Sequence, residues 1–64
     1  MRDFKQEIDT TDDLHLLRDI LSDLHSAIED LEDSPYEEAA ILERIHDYEL
    51  ILRYGELRLE RLLA

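Results

Sequence analysis

Leu14, Leu17, Leu21, Leu24, Ile28 and Leu31 recur at alternating steps of three and four residues, a spacing that leaves little choice of local structure. Only a helix, with about 3.6 residues per turn, brings all six to one side. Leu16, Ile20 and Ala27 widen the stripe to the breadth of a face packed on a core. Thr10 or Thr11 offers a hydroxyl to the first free N–H groups, and Asp12 and Asp13 follow where the helix dipole welcomes negative charge. The run ends at Asp33-Ser34-Pro35, which predicts a first long helix over about 12–33.

Ser34-Pro35-Tyr36-Glu37 has the order of a capping box, with serine as N-cap, proline at the first helical position and glutamate at the third. It predicts a second long helix over about 35–63, with a seam at Ile41, Ile45, Tyr48, Leu52, Leu59 and Leu62. Gly55 fills the one gap in that seam. Glycine in a helix interior costs about 1 kcal/mol against alanine, so the gap predicts a close backbone crossing, with a bend or an early helix end as alternatives. A turn this short makes the two helices antiparallel neighbours. The expected fold class is therefore all-α, a single domain over 1–64 formed by an antiparallel two-helix hairpin with a short N-terminal segment.

The second helix carries more apolar surface than a hairpin can use. Leu50, Tyr54 and Leu57 lie opposite its seam, with Ile51 between, and a helix apolar all round is normally buried all round. A chain of 64 residues without cysteine also needs some support beyond its own core. Two arrangements supply it: Phe4 and Ile8, one helical turn apart, fold back over the hairpin, or a second copy covers it. The hairpin is lopsided, roughly 30 Å against 42 Å, and the overhang favours a homodimer closing into a four-helix bundle. Leu50, Ile51, Tyr54 and Leu57 are then its apolar interface.

Charge narrows the partners. Eighteen acidic and seven basic side chains leave a formal −11, which disfavours nucleic acid and anionic membranes as direct ligands. Residues 12–33 alone hold eight carboxylates and one base, Arg18. Asp12, Asp19, Asp23, Glu29, Asp30 and Asp33 all fall away from the leucine seam, at about one carboxylate per 4 Å of helix axis, close to the phosphate spacing of about 3.4 Å along one DNA strand. Glu29, Asp30, Glu32 and Asp33 crowd the helix end where the dipole disfavours them by about 0.3–1 kcal/mol each. This pattern implies a small acidic inhibitor that binds a basic nucleic-acid-binding protein or ribonucleoprotein by imitating a phosphate backbone. The plainer alternative is a solvated face of a salt-adapted protein, for which one lysine against six arginines also speaks. A different class of function, a structural or assembly module such as a small helical subunit or antitoxin-like partner, would act through the apolar side of the second helix.

Catalysis is not expected: the sequence has no cysteine, no glycine-rich phosphate loop and no polar cluster at seam positions. Asp12-x-x-His15 and Glu43-x-x-His46 match the acid-x-x-His spacing of di-iron bundles, yet the seams place them outward, whereas that chemistry needs inward ligands. No metal or cofactor is therefore expected. The start, Met1-Arg2-Asp3-Phe4-Lys5-Gln6-Glu7, lacks the apolar run of a secretory signal, and the expected location is the cytoplasm.

Small size, acidity and helical patterning together resemble phage-encoded inhibitors, including anti-CRISPR proteins, and that resemblance implies occupation of a nucleic-acid groove in a host complex. Separately, Ile28-Glu29-Asp30-Leu31-Glu32, then Glu37-Glu38-Ala39 and Tyr48, is similar to the exonuclease VII small subunit, whose hairpin ends one helix in an LE pair and opens the next with an EEA run. The turn glycine of that family is missing here. This second likeness implies a small helical subunit.

Overall fold

Aspartates, rather than threonines, start the first two helices. The computed structural model describes residues 2–35 and 38–64. Its elements are α1 (Phe4–Thr10), α2 (Leu14–Glu32) and α3 (Ala39–Leu63), with no strand among the described residues. Asp3 caps α1 by accepting from the Gln6 N–H at 3.1 Å. Thr10 does not cap anything ahead of it; its hydroxyl donates back to the Gln6 carbonyl at 2.9 Å, as threonine does on a helix. Asp13 is the N-cap of α2, accepting from His15 N–H at 2.8 Å and Leu16 N–H at 3.3 Å. Thr11 supports it one step back, its hydroxyl oxygen accepting from the Asp13 N–H at 3.3 Å. The threonine cap is thus corrected. A carboxylate at the N-cap adds charge to the same hydrogen bonds and is preferred at the positive end of the dipole.

α3 does not start near residue 35, where the Ser34 box would place it. Asp33 and Ser34 still belong to the end of α2, their N–H groups donating to the Glu29 and Leu31 carbonyls at 3.0 and 3.2 Å. Tyr36 and Glu37, the other half of the expected box, lie outside the described residues. α3 instead begins at Ala39 with Glu38 as N-cap and no side-chain cap bond.

The architecture has three helices rather than two. α2 supplies most of the core through Leu17, Ile20, Leu21, Leu24 and Ile28, and α1 adds Phe4 and Ile8. Partly buried Ile45, Tyr48, Ile51, Leu52 and Leu59 of α3 pack against this cluster. Arg58, near the end of α3, reaches the Thr11 carbonyl at 3.3 Å, just before α2 begins. The C-terminal end of α3 thus lies beside the start of α2. The N-terminal segment, for which folding back through Phe4 and Ile8 was one of the two expected arrangements, is a helix laid over both, and Phe4 meets the Tyr48 ring edge-on at 5.6 Å.

Gly55 explains how α1 fits. It is the one buried residue of α3, its φ is not positive, and a Cβ there would sit 2.4 Å from Leu21 Cδ2 and 3.0 Å from Ile8 Cδ1. The gap in the seam is a close approach, where the α3 backbone admits side chains of both other helices. Ile8, at this approach, is fully buried, as are Leu17 and Leu24 elsewhere in the core, each contributing about 1.5–3 kcal/mol. No helix among the described residues is long and apolar enough to cross a membrane.

Candidate protein-binding surfaces

α1 divides the exterior into two surfaces of opposite character. On the α2 side, Asp12, Asp19, Asp23, Glu29, Asp30 and Asp33 are all exposed. Their spacing sorts them into two lines: Asp19, Asp23 and Asp30 run along one strip, and Glu29 and Asp33 form a second roughly a quarter turn away. Asp12 precedes the helix and sits apart, 3.4 Å from Arg58 Nη2.

The six carboxylates are not equally free. Arg2 lies across the start of α1, its guanidinium donating to Asp23 at 2.8 Å and to Glu7 at 2.8 Å. Hydrogen bonds that Arg2 donates to Glu7 and then Asp23 push its pKa further above its ordinary value. Among the described residues no ion pair reaches Asp19, Glu29, Asp30 or Asp33. Uncompensated charge therefore concentrates in the last turns of α2, where no basic residue stands. That end of a helix already carries partial negative charge from its free carbonyls.

On the α3 side, Leu50, Tyr54 and Leu57 are exposed and Ile51 is half-buried at their edge. Tyr54 is tied to α1 by its hydroxyl, which donates to Asp9, while Lys5 Nζ stands 5.5 Å from its ring centre. The hydrogen bond from Tyr54 holds the Asp9 carboxyl below its ordinary value, against partial desolvation and with help from Lys5. The same bond, with desolvation added, raises the Tyr54 hydroxyl. Beyond Tyr54 a shallow cleft of about 400 Å³ is lined by Leu57, Arg58, Arg61, Leu62 and Asp12.

Among the described residues no three His, Cys, Asp or Glu side chains converge as a metal site. His15 and His46, the histidines of the two acid-x-x-His spacings, are exposed. Neither family models, curated proteins nor solved structures give a match to this chain. Its functional reading rests on these surfaces alone.

Sequence reasoning missed the tethers that set the surfaces apart. Arg2 and Asp23 are 21 residues apart, and Asp9 and Tyr54 are 45 apart. No local pattern marks such pairs. The one available signal was the apolar pair Phe4 and Ile8, which places α1 on the core and so brings its charges to α2 and α3.

Proposed function

We propose that this protein is a non-enzymatic inhibitor whose α2 carboxylates occupy a basic, nucleic-acid-binding surface of a partner protein or ribonucleoprotein. The observation that carries the reading is the free charge along α2, concentrated at its C-terminal end: Asp19 near the start and Glu29, Asp30 and Asp33 at the end are exposed and outside every ion pair among the described residues. Helix stability alone disfavours carboxylates at that end, so their placement calls for a use in recognition. A fixed row of carboxylates on a helix offers a basic groove the charge density of a nucleic-acid strand without its flexibility. Steering by such a field speeds association and fades with salt. The class this implies for the chain itself is that of anti-host proteins of phage, anti-CRISPR proteins included.

A competition experiment tests this. Heparin-binding proteins of a host extract are passed over the immobilised chain at low salt, then challenged with excess duplex DNA or structured RNA. Support is release of the captured protein by nucleic acid, and its loss when Asp19, Asp30 and Asp33 are changed to lysine with helicity unchanged. Retention under nucleic-acid excess, or undiminished capture by the lysine variant, defeats the reading.

Exposed Leu50, Tyr54 and Leu57 favour a second reading. In it the chain is an assembly module that works through α3, pairing copies into a four-helix bundle or joining a larger complex. Leu50→Asp would then abolish function, and the α2 substitutions would not.

A further inference from the structure

The outward strip of α3 changes sign along its length. Asp47 stands toward the N-terminal end, Leu50, Tyr54 and Leu57 follow, and Arg58 and Arg61 close it. Steps of three and four residues keep these side chains on one side of the helix. Leu50 is 59% exposed and Leu57 44%, an apolar centre open to water. Arg58 Nε is buried without a hydrogen-bond partner, in the wall of the cleft that Arg61 also lines. A buried N–H of a charged group left unpaired is costly.

The area agrees with the chemistry. The chain exposes 4827 Å², against about 4300 Å² for a typical folded monomer of its mass. The excess is of the order of the ~800 Å² that each partner contributes to a standard interface. α2 has buried its seam, whereas α3 has only Gly55 fully inside, so the missing burial is on α3.

A strip that is acidic at one end, apolar in the middle and basic at the other complements itself only when turned end for end. We propose that a second copy of this chain docks antiparallel along α3, with the two-fold axis near Tyr54. The partner's Asp47 then faces the exposed Arg61 beside Arg58, and the reciprocal pair forms at the other end. Leu50 lies on the aliphatic stem of the partner's Arg58, a packing that arginine readily provides. Leu57 packs beside the partner's Ile51. This goes beyond the acidic-face reading and does not depend on it, because α1 separates the two surfaces.

Sedimentation equilibrium of the full chain over a range of concentrations tests the proposal. The expected mass is twice the 7.6 kDa of one chain, falling to one chain for Leu57→Asp with unchanged helical circular dichroism. Asp47→Arg alone and Arg61→Asp alone each weaken association by about tenfold or more, and the double variant recovers most of the loss. That recovery is specific to an antiparallel pair, since in a parallel pair each residue faces its own copy. Both charged positions are exposed, so their variants report even where Leu57→Asp does not fold. A chain that stays monomeric, a dimer indifferent to these substitutions, or a double variant no better than its parents overturns the proposal. Unchanged mass in the Asp19, Asp30 and Asp33 lysine variant is expected, and its loss also overturns it.

Discussion

Gly55→Ala is the sharpest probe of how the three helices meet. In a solvent-facing helix this change stabilises by about 1 kcal/mol, the propensity gap between glycine and alanine. Here the new Cβ would arrive 2.4 Å from Leu21 Cδ2 and 3.0 Å from Ile8 Cδ1, where comfortable carbon contacts are about 3.5–4.0 Å. Leu21 is 7% exposed and Ile8 fully buried, so neither side chain can swing into water to make room. Overpacking of this kind costs about 1–3 kcal/mol, and subtracting the propensity gain leaves a net loss of about 0–2 kcal/mol. For a domain this small, each kcal/mol lost lowers Tm by about 4–8 °C, readable in a thermal melt followed at the helical band. A double-mutant cycle makes the reasoning specific. Leu21→Ala, destabilising by about 2–5 kcal/mol in the parent, should cost less in the Gly55→Ala background, with a coupling of about 0.5–3 kcal/mol. A Gly55→Ala protein that melts higher than the parent, together with zero coupling to Leu21, would refute the close approach.

Two further perturbations address α1. Tyr54→Phe should move the carbon-NMR titration midpoint of Asp9 upward, because the hydroxyl is the main cause of its lowered value. A carboxylate depressed in the folded state contributes stability that is complete above its unfolded value and lost as pH falls through the folded one. Acid should therefore loosen α1 in the parent and have less to remove in the variant, and an unmoved Asp9 midpoint would count against the bond. Arg2→Gln should release Asp23, increase affinity for a basic partner and steepen its salt dependence, measured by titration calorimetry at several ionic strengths. Unchanged binding would place the partner contact away from the Asp23 strip.

Legibility of the fold followed the range of the interactions. The buried set of α2, Leu17 to Ile28, is a local periodicity and could be read directly, as could the close approach at Gly55 and the α3 seam from Ile45 to Leu59, whereas Leu62, expected to end that seam, is exposed. Element starts were less legible. Thr10, Thr11 and Asp13 are all competent caps, and the choice among them turns on where α1 stops, which depends on Phe4 and Ile8 finding the core. The start of α3 at Ala39 rather than near residue 35 was not legible either, and the box expected to set it falls partly on Tyr36 and Glu37, outside the described residues. α1 itself offers only two apolar positions one turn apart, too few for periodicity to distinguish a helix from a loop. The carboxylates of α2 were legible as exposed, but which of them keep their charge unpaired is decided by Arg2 and Arg58, whose partners lie 21 and 46 residues away.

The same short helix that was hardest to foresee governs both surfaces. By filling the groove over Gly55, α1 completes a core that two helices of unequal length leave open. Its flanking charges then work in opposite senses: Arg2 tempers the acidic strip at Asp23, and Asp9 and Lys5 hold Tyr54 in place at the centre of the apolar strip. A chain with a formal charge of −11 repels its own copies, so self-association requires that the contacting faces carry locally balanced charge. The outward strip of α3, where Asp47 is matched by Arg58 and Arg61, meets that condition, and the end of α2 does not. The two proposals made above are thus compatible in charge, a like copy on α3 and a basic macromolecule on α2, and with α1 between the faces one chain can be tested for both at once.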